Sequence, residues 1–123
     1  MNHPWDRSRI LLLDDDPLVR RAFVRSAGQR EDAEVRTVAT QEEARVLLES
    51  EPPFDLVVCD FWLDDETTSG ELVRELYRQR TPVVVMSGDA SGVIRSIGLV
   101  VPVFAKPVTL SEVLAEVSRM KTA

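Results

Sequence analysis

The chain has 123 residues, 44% hydrophobic and 29% charged, with a formal net charge of -6. That length makes one domain able to bury roughly two-thirds of its unfolded surface, and the acidic balance gives no bulk attraction to nucleic acid or to an anionic membrane. The single cysteine, Cys59, excludes an internal disulfide, reads as a small buried hydrophobe inside an apolar run, and fits a reducing cytoplasm.

No targeting or membrane segment is visible. Pro4, Asp6, Arg7 and Arg9 precede an apolar run of four residues, too short for a signal-peptide core of about 7–15. The longest nearly apolar stretch, 98–105, is far below the ~18 residues of a membrane span. The expected organisation is an N-terminal extension over 1–8, a domain over 9–120 and a tail over 121–123. His3 reads as an exposed terminal residue, and Trp5 precedes the domain.

Ile10, Leu11, Leu12 and Leu13 form a buried-strand run that ends at Asp14, Asp15 and Asp16. Asp16 before Pro17 is a helix start, a capping side chain followed by proline at the first helical position. Leu18, Val19, Ala22, Phe23 and Ser26 give the helix an inward stripe, and Gly28 can end it. A second strand is expected over 34–39. Thr40 with Glu43 is a capping box that opens a helix with Ala44, Leu47 and Leu48 inward, stopped by Pro52 and Pro53.

Phe54 to Asp60 then reads as a buried strand ending on a carboxylate. A polar loop over 64–69 follows, then a helix with Leu72, Val73, Leu76 and Tyr77 on its apolar stripe. Val83, Val84, Val85 and Met86 make another buried strand, ending at Ser87 and Gly88. Val93, Ile94 and Ile97 suggest a short helix between Gly92 and Gly98. A strand over 100–105 ends at Lys106 and Pro107, and a second capping box, Thr109 with Glu112, opens a last amphipathic helix carrying Leu110, Val113, Leu114 and Val117. Five strands alternating with five helices predict a doubly wound α/β fold, a parallel sheet with helices on both faces.

In such a sheet Asp14, Asp15, Asp16, Asp60, Ser87 and Lys106 collect at one edge, where open α/β sheets bind ligands. Clustered carboxylates repel one another unless a cation compensates, and oxygen-only ligation suits Mg²⁺. A metal-flanked Asp facing a hydroxyl and an ammonium group is equipment for phosphoryl transfer to that Asp. The chain uses thirteen arginines and two lysines, so a lysine at 106 suggests a need for a compact charge.

Taken together, the run from Ile10 to Pro17, the strand-end Asp60, the segment from Val84 to Gly88, and Lys106 with Pro107 resemble the receiver domain of two-component response regulators over roughly residues 8–120. The resemblance implies a flavodoxin-like sheet of order 2-1-3-4-5. It implies that Asp60 accepts a phosphoryl group from the phosphohistidine of a sensor histidine kinase or phosphotransfer protein. Asp15 would ligate Mg²⁺ directly and Asp14 through water, with Asp60 and the Trp62 backbone carbonyl completing the protein ligands. Asp16 would instead cap the first helix. Ser87 stands at the signalling hydroxyl, Lys106 at the phosphate-binding lysine, and the Lys106–Pro107 bond is expected to be cis. The domain would act as a phosphoacceptor, with at most slow self-catalysed phosphotransfer and dephosphorylation, on an unidentified downstream protein, contacting neither nucleic acid nor membrane. With no output segment after the last helix and a Met1 start, a stand-alone cytoplasmic regulator is the expectation.

Several positions depart from the family pattern. Asp64 stands where a proline is common, and the glycine is Gly70, so the loop is longer and carries Asp64, Asp65 and Glu66, expected to be solvated. Val103 occupies the usual position of the switch aromatic, while strand alternation makes the neighbouring Phe104 a core residue. The span from Ser87 to Lys106 is short, so the helix within it must be short or irregular. At Trp62 the family tunes the lifetime of the acyl phosphate, and a large ring would shield it. A small Mg²⁺-dependent phosphohydrolase of the haloacid-dehalogenase type uses similar groups, but places its nucleophile after the first strand in an Asp-x-Asp pair, where here residue 62 is Trp. A receiver-like binding module independent of phosphate is the third reading.

Overall fold

Residues 10–13, 56–59 and 83–86 are almost wholly buried, because a parallel sheet covered on both faces hides every side chain of its central strands. The computed structural model describes residues 7–63, 67–88 and 101–122. Its elements are β1 (Ser8–Leu13), α1 (Pro17–Gly28), β2 (Ala33–Val38), α2 (Gln41–Ser50), β3 (Leu56–Asp60), α3 (Gly70–Arg78), β4 (Val83–Ser87), β5 (Val103–Ala105) and α4 (Leu110–Thr122). All pairings are parallel, in the order β2-β1-β3-β4-β5, as expected.

Strand alternation divides the core into two layers. Leu11, Leu13, Val57, Cys59, Val83 and Val85 face α2 and α3. Ile10, Leu12, Leu56, Val58, Val84 and Met86 face α1 and α4. The helix starts follow their local chemistry. Asp16 accepts from the Leu18 N–H at 2.9 Å with Pro17 beside it, Thr40 and Glu43 form the reciprocal box, and Thr109 and Glu112 repeat it at α4.

Three expectations need correction. On α1 only Phe23 is buried, and Leu18 is 68% exposed. Leu18 and Ala22 instead line a cavity of about 500 Å³ with Met86, Lys106, Pro107 and Val108. On α3, Tyr77 stays 48% exposed, past the end of the covered surface. The fifth strand pairs only over Val103–Ala105, since Pro102 has no N–H to donate, although its carbonyl accepts from Val85 at 3.0 Å. The short helix expected around Val93 to Ile97, the acidic residues Asp64, Asp65 and Glu66, and His3 and Trp5 lie outside the described residues.

Candidate functional site

Parallel pairing brings four strand ends to one edge. Asp14 follows β1, Asp60 closes β3, Ser87 closes β4 and Lys106 follows β5. Asp14, Asp60 and Ser87 are buried, at 0%, 5% and 1% exposure, while Asp15 is exposed. One carboxylate oxygen each of Asp14, Asp15 and Asp60 lies within 4.8 Å of the others. Lys106 Nζ stands 3.0 Å from Asp60 Oδ2 and 3.3 Å from Asp14 Oδ2. Asp16, the remaining acid of the run, is turned to helix capping. The Lys106–Pro107 peptide is cis.

Asp14 is held at every acceptor. Its Oδ1 accepts from the Asp16 N–H at 2.9 Å, its Oδ2 from Lys106, and its carbonyl from Arg20 Nη1 at 2.9 Å. Its own N–H donates to the Val38 carbonyl at 3.1 Å. Ser87 is level with Ala105 in register, one residue beyond Met86, which is level with Asp60. The Ser87 carbonyl accepts from the Lys106 N–H at 3.0 Å, joining the hydroxyl-bearing residue to the lysine along the backbone.

Trp62 lies in the loop after β3, its indole 49% exposed and packed edge-on against Phe61 with centroids 5.0 Å apart. Trp62 and Thr68 form an antiparallel bridge, flanked by Leu63 N–H to Thr67 carbonyl at 3.0 Å and Ser69 N–H to Phe61 carbonyl at 2.9 Å. In such a non-hydrogen-bonded pair each residue's own N–H and C=O turn away from the partner. The Thr68 carbonyl accordingly accepts from Gln41 Nε2 at 3.1 Å, outside the bridge, and by the same pattern the Trp62 carbonyl faces away from Thr68. The bridge closes the longer loop at its base, a feature the sequence did not announce.

Burial raises the Asp60 carboxyl to about 6, and the negative charges of Asp14 and Asp15 push the same way against the pull of Lys106. Burial works against the charged form of Lys106, but hydrogen bonding and charge from Asp60, with Asp14 adding to both, leave its ammonium raised. Beside the pocket, Cys59 is fully buried and its thiol is pushed up to about 12, first by burial and then by Asp60, which makes it inert. Three carboxylates against one ammonium group leave two formal negative charges in a half-buried pocket. An all-oxygen donor set with that excess fits Mg²⁺.

Val103 packs into the layer facing α2 and α3, so no aromatic ring stands there. Phe104, level with Met86 on the other face, is only partly buried. It is not the core residue that alternation predicts, because alternation assigns Phe104 a face of a short edge strand but not a cover over that face.

Reversal of strand order between β1 and β3 puts this pocket at the topological switch point, which defines a CheY-like, flavodoxin-type α/β domain. The family model described as response regulator receiver domain matches residues 10–118. The chain belongs to that family of two-component signalling proteins.

Solved structures agree in fold. A response regulator receiver protein from Sinorhizobium medicae superposes with a TM-score of 0.76 at 24% identity, covering 97% of this chain and 98% of the other. A CheY-like receiver domain protein from Methanospirillum hungatei gives 0.74 at 25%, covering 94% and 98%. A receiver protein from Pseudomonas putida gives 0.74 at 24%, covering 92% and 97%. No curated protein sequence matches this chain. Among the described residues, no helix is long and apolar enough to cross a membrane.

Proposed function

We propose that Asp60 accepts a phosphoryl group from the phosphohistidine of a sensor histidine kinase or phosphotransfer protein, and that the charged domain then signals to a downstream protein in the cytoplasm. The observation that carries this reading is the Asp60 carboxylate, buried at a strand end between two further carboxylates and 3.0 Å from Lys106. An Asp60 carboxylate oxygen attacks phosphorus and forms the new O–P bond. The N–P bond breaks, and the imidazole leaves with the electron pair. Lys106 exchanges its contact with the carboxylate for one with a phosphoryl oxygen, and Ser87 donates its hydroxyl to another. Asp14, Asp15, Asp60 and the Trp62 carbonyl would hold Mg²⁺, which offsets the charge of the transferring group. The domain is a phosphoacceptor, and turnover of a separate substrate is not part of this role.

Incubation with acetyl phosphate and Mg²⁺ is expected to add the mass of one phosphoryl group to the intact protein, and Asp60→Asn to abolish the addition. An unmodified wild-type protein at saturating donor and metal would sink the proposal.

Mg²⁺ alone is expected to stabilise the fold by mass action, by about 1–3 kcal/mol at concentrations well above its dissociation constant. Thermal unfolding across a MgCl₂ series reads this directly. Asp15→Asn should remove most of the rise in Tm. A full rise in that variant would exclude Asp15 from the ligand set.

A further inference from the structure

The geometry points to Arg20 as a positioning residue for the acidic pocket, one that holds the backbone from which Asp15 presents its carboxylate to a divalent cation. This inference rests on the metal site proposed above.

Asp15 is the exposed carboxylate of the cluster, with neither burial nor a described ion pair to aim it. Its backbone is clamped instead. On one side, the Asp14–Asp15 peptide carries the carbonyl that accepts from Arg20 Nη1 at 2.9 Å. On the other, the Asp16 N–H, part of the Asp15–Asp16 peptide, donates to Asp14 Oδ1 at 2.9 Å. With both peptide planes held, the Cα–Cβ bond of Asp15 has one direction.

Arg20 is bound to this turn twice, since its own N–H donates to the Asp16 carbonyl at 3.2 Å as the first hydrogen bond of α1. Residue 20 therefore sits at a fixed offset from the turn, and the arginine side chain spans the distance back to the residue before it. The bond is charge-assisted. Outer-shell groups of this kind orient ligands without touching the ion.

A purely structural role for Arg20 is separable from this one. Helix α1 has its own cap at Asp16 and anchors itself in the core through Phe23, with Val19 and Ala27 packed alongside. Loss of the guanidinium should thus leave the metal-free fold nearly intact.

The test is the thermal unfolding of the full chain across a MgCl₂ series, for wild type, Arg20→Met and Arg20→Lys. Arg20→Met keeps an apolar stem and deletes the donors. It is expected to raise the Mg²⁺ concentration at the midpoint of the Tm response about tenfold, with the metal-free Tm within about 2 °C of wild type. Arg20→Lys, which retains a charged donor, is expected to recover most of that loss. An unchanged midpoint in Arg20→Met overturns the assignment. So does an equal shift in both variants, or a large fall in the metal-free Tm of Arg20→Met. A wild-type Tm that ignores Mg²⁺ overturns the metal site itself, and the role of Arg20 with it.

Discussion

Asp60→Asn is expected to make the metal-free protein more stable at neutral pH, although it removes the group on which the proposed chemistry depends. Burial, helped by Asp14 and Asp15, lifts the Asp60 carboxyl from 3.8 to about 6. A carboxyl whose folded value lies above its unfolded one penalises the folded state once it ionises. The penalty is absent below about pH 4, grows between about pH 4 and 6, and is constant above that window. Its full size is roughly 3 kcal/mol with the pull of Lys106 already counted, and solvent screening at the mouth of the pocket reduces it, so a net gain of about 1–2 kcal/mol is expected. Denaturant unfolding of both proteins in EDTA at several pH values measures the difference, which should shrink as the pH falls toward 4. A variant less stable than wild type at pH 7.5, or a difference flat across the window, contradicts the picture of a strained pocket.

Lys106→Met is expected to slow phosphorylation by acetyl phosphate about 10²–10³-fold, the largest rate effect among the pocket residues that leave Asp60 in place. Lys106 Nζ already contacts the Asp60 carboxylate at 3.0 Å and Asp14 at 3.3 Å, so in the proposed transfer the ammonium group would stand where negative charge arrives. Methionine preserves the stem and removes that charge. The initial rate of mass increase at fixed donor and saturating Mg²⁺ is the measurement. A rate within threefold of wild type would assign Lys106 to holding Asp14 and Asp60 in place and nothing more. Lys106→Arg separates charge from shape. A planar fork cannot serve both carboxylates as a compact ammonium does, so recovery should be partial.

Much of this pocket could be read before any coordinates, and the reason is topological. A parallel sheet needs unbroken apolar runs, so Leu13, Cys59 and Met86 advertised where strands end and which polar residue each delivers. The caps at Asp16, Thr40 and Thr109 were equally legible, because a cap is decided by residues within one turn. Side-chain direction was less so. Leu18 fits the α1 stripe by spacing, yet spacing does not say which positions of a stripe are covered, and Leu18 is 68% exposed. Phe104 was misplaced for a related reason, since alternation fixes a face but not whether anything covers it.

What left no trace were contacts that reach beyond a single turn. Nothing in the spacing of α1 singles out Arg20, whose guanidinium reaches the Asp14 carbonyl. The bridge between Trp62 and Thr68 joins residues whose types favour no turn. Arg9 gave no signal either, although its guanidinium links Glu34, Glu51 and the Pro52 and Pro53 carbonyls at the opposite edge and lies 4.4 Å over the Phe54 ring.

The brevity of β5 bears on how copies of this protein can associate. It is an edge strand of three residues, bracketed by Pro102 and Pro107. An unpaired strand edge is a template for another chain, and proteins blunt such edges with short strands and proline. Cross-strand pairs contribute only roughly 0.2–1 kcal/mol each, so three positions cannot hold an added strand against the entropy of ordering it. At this edge the described strand offers a blunted template, which disfavours self-association by sheet extension.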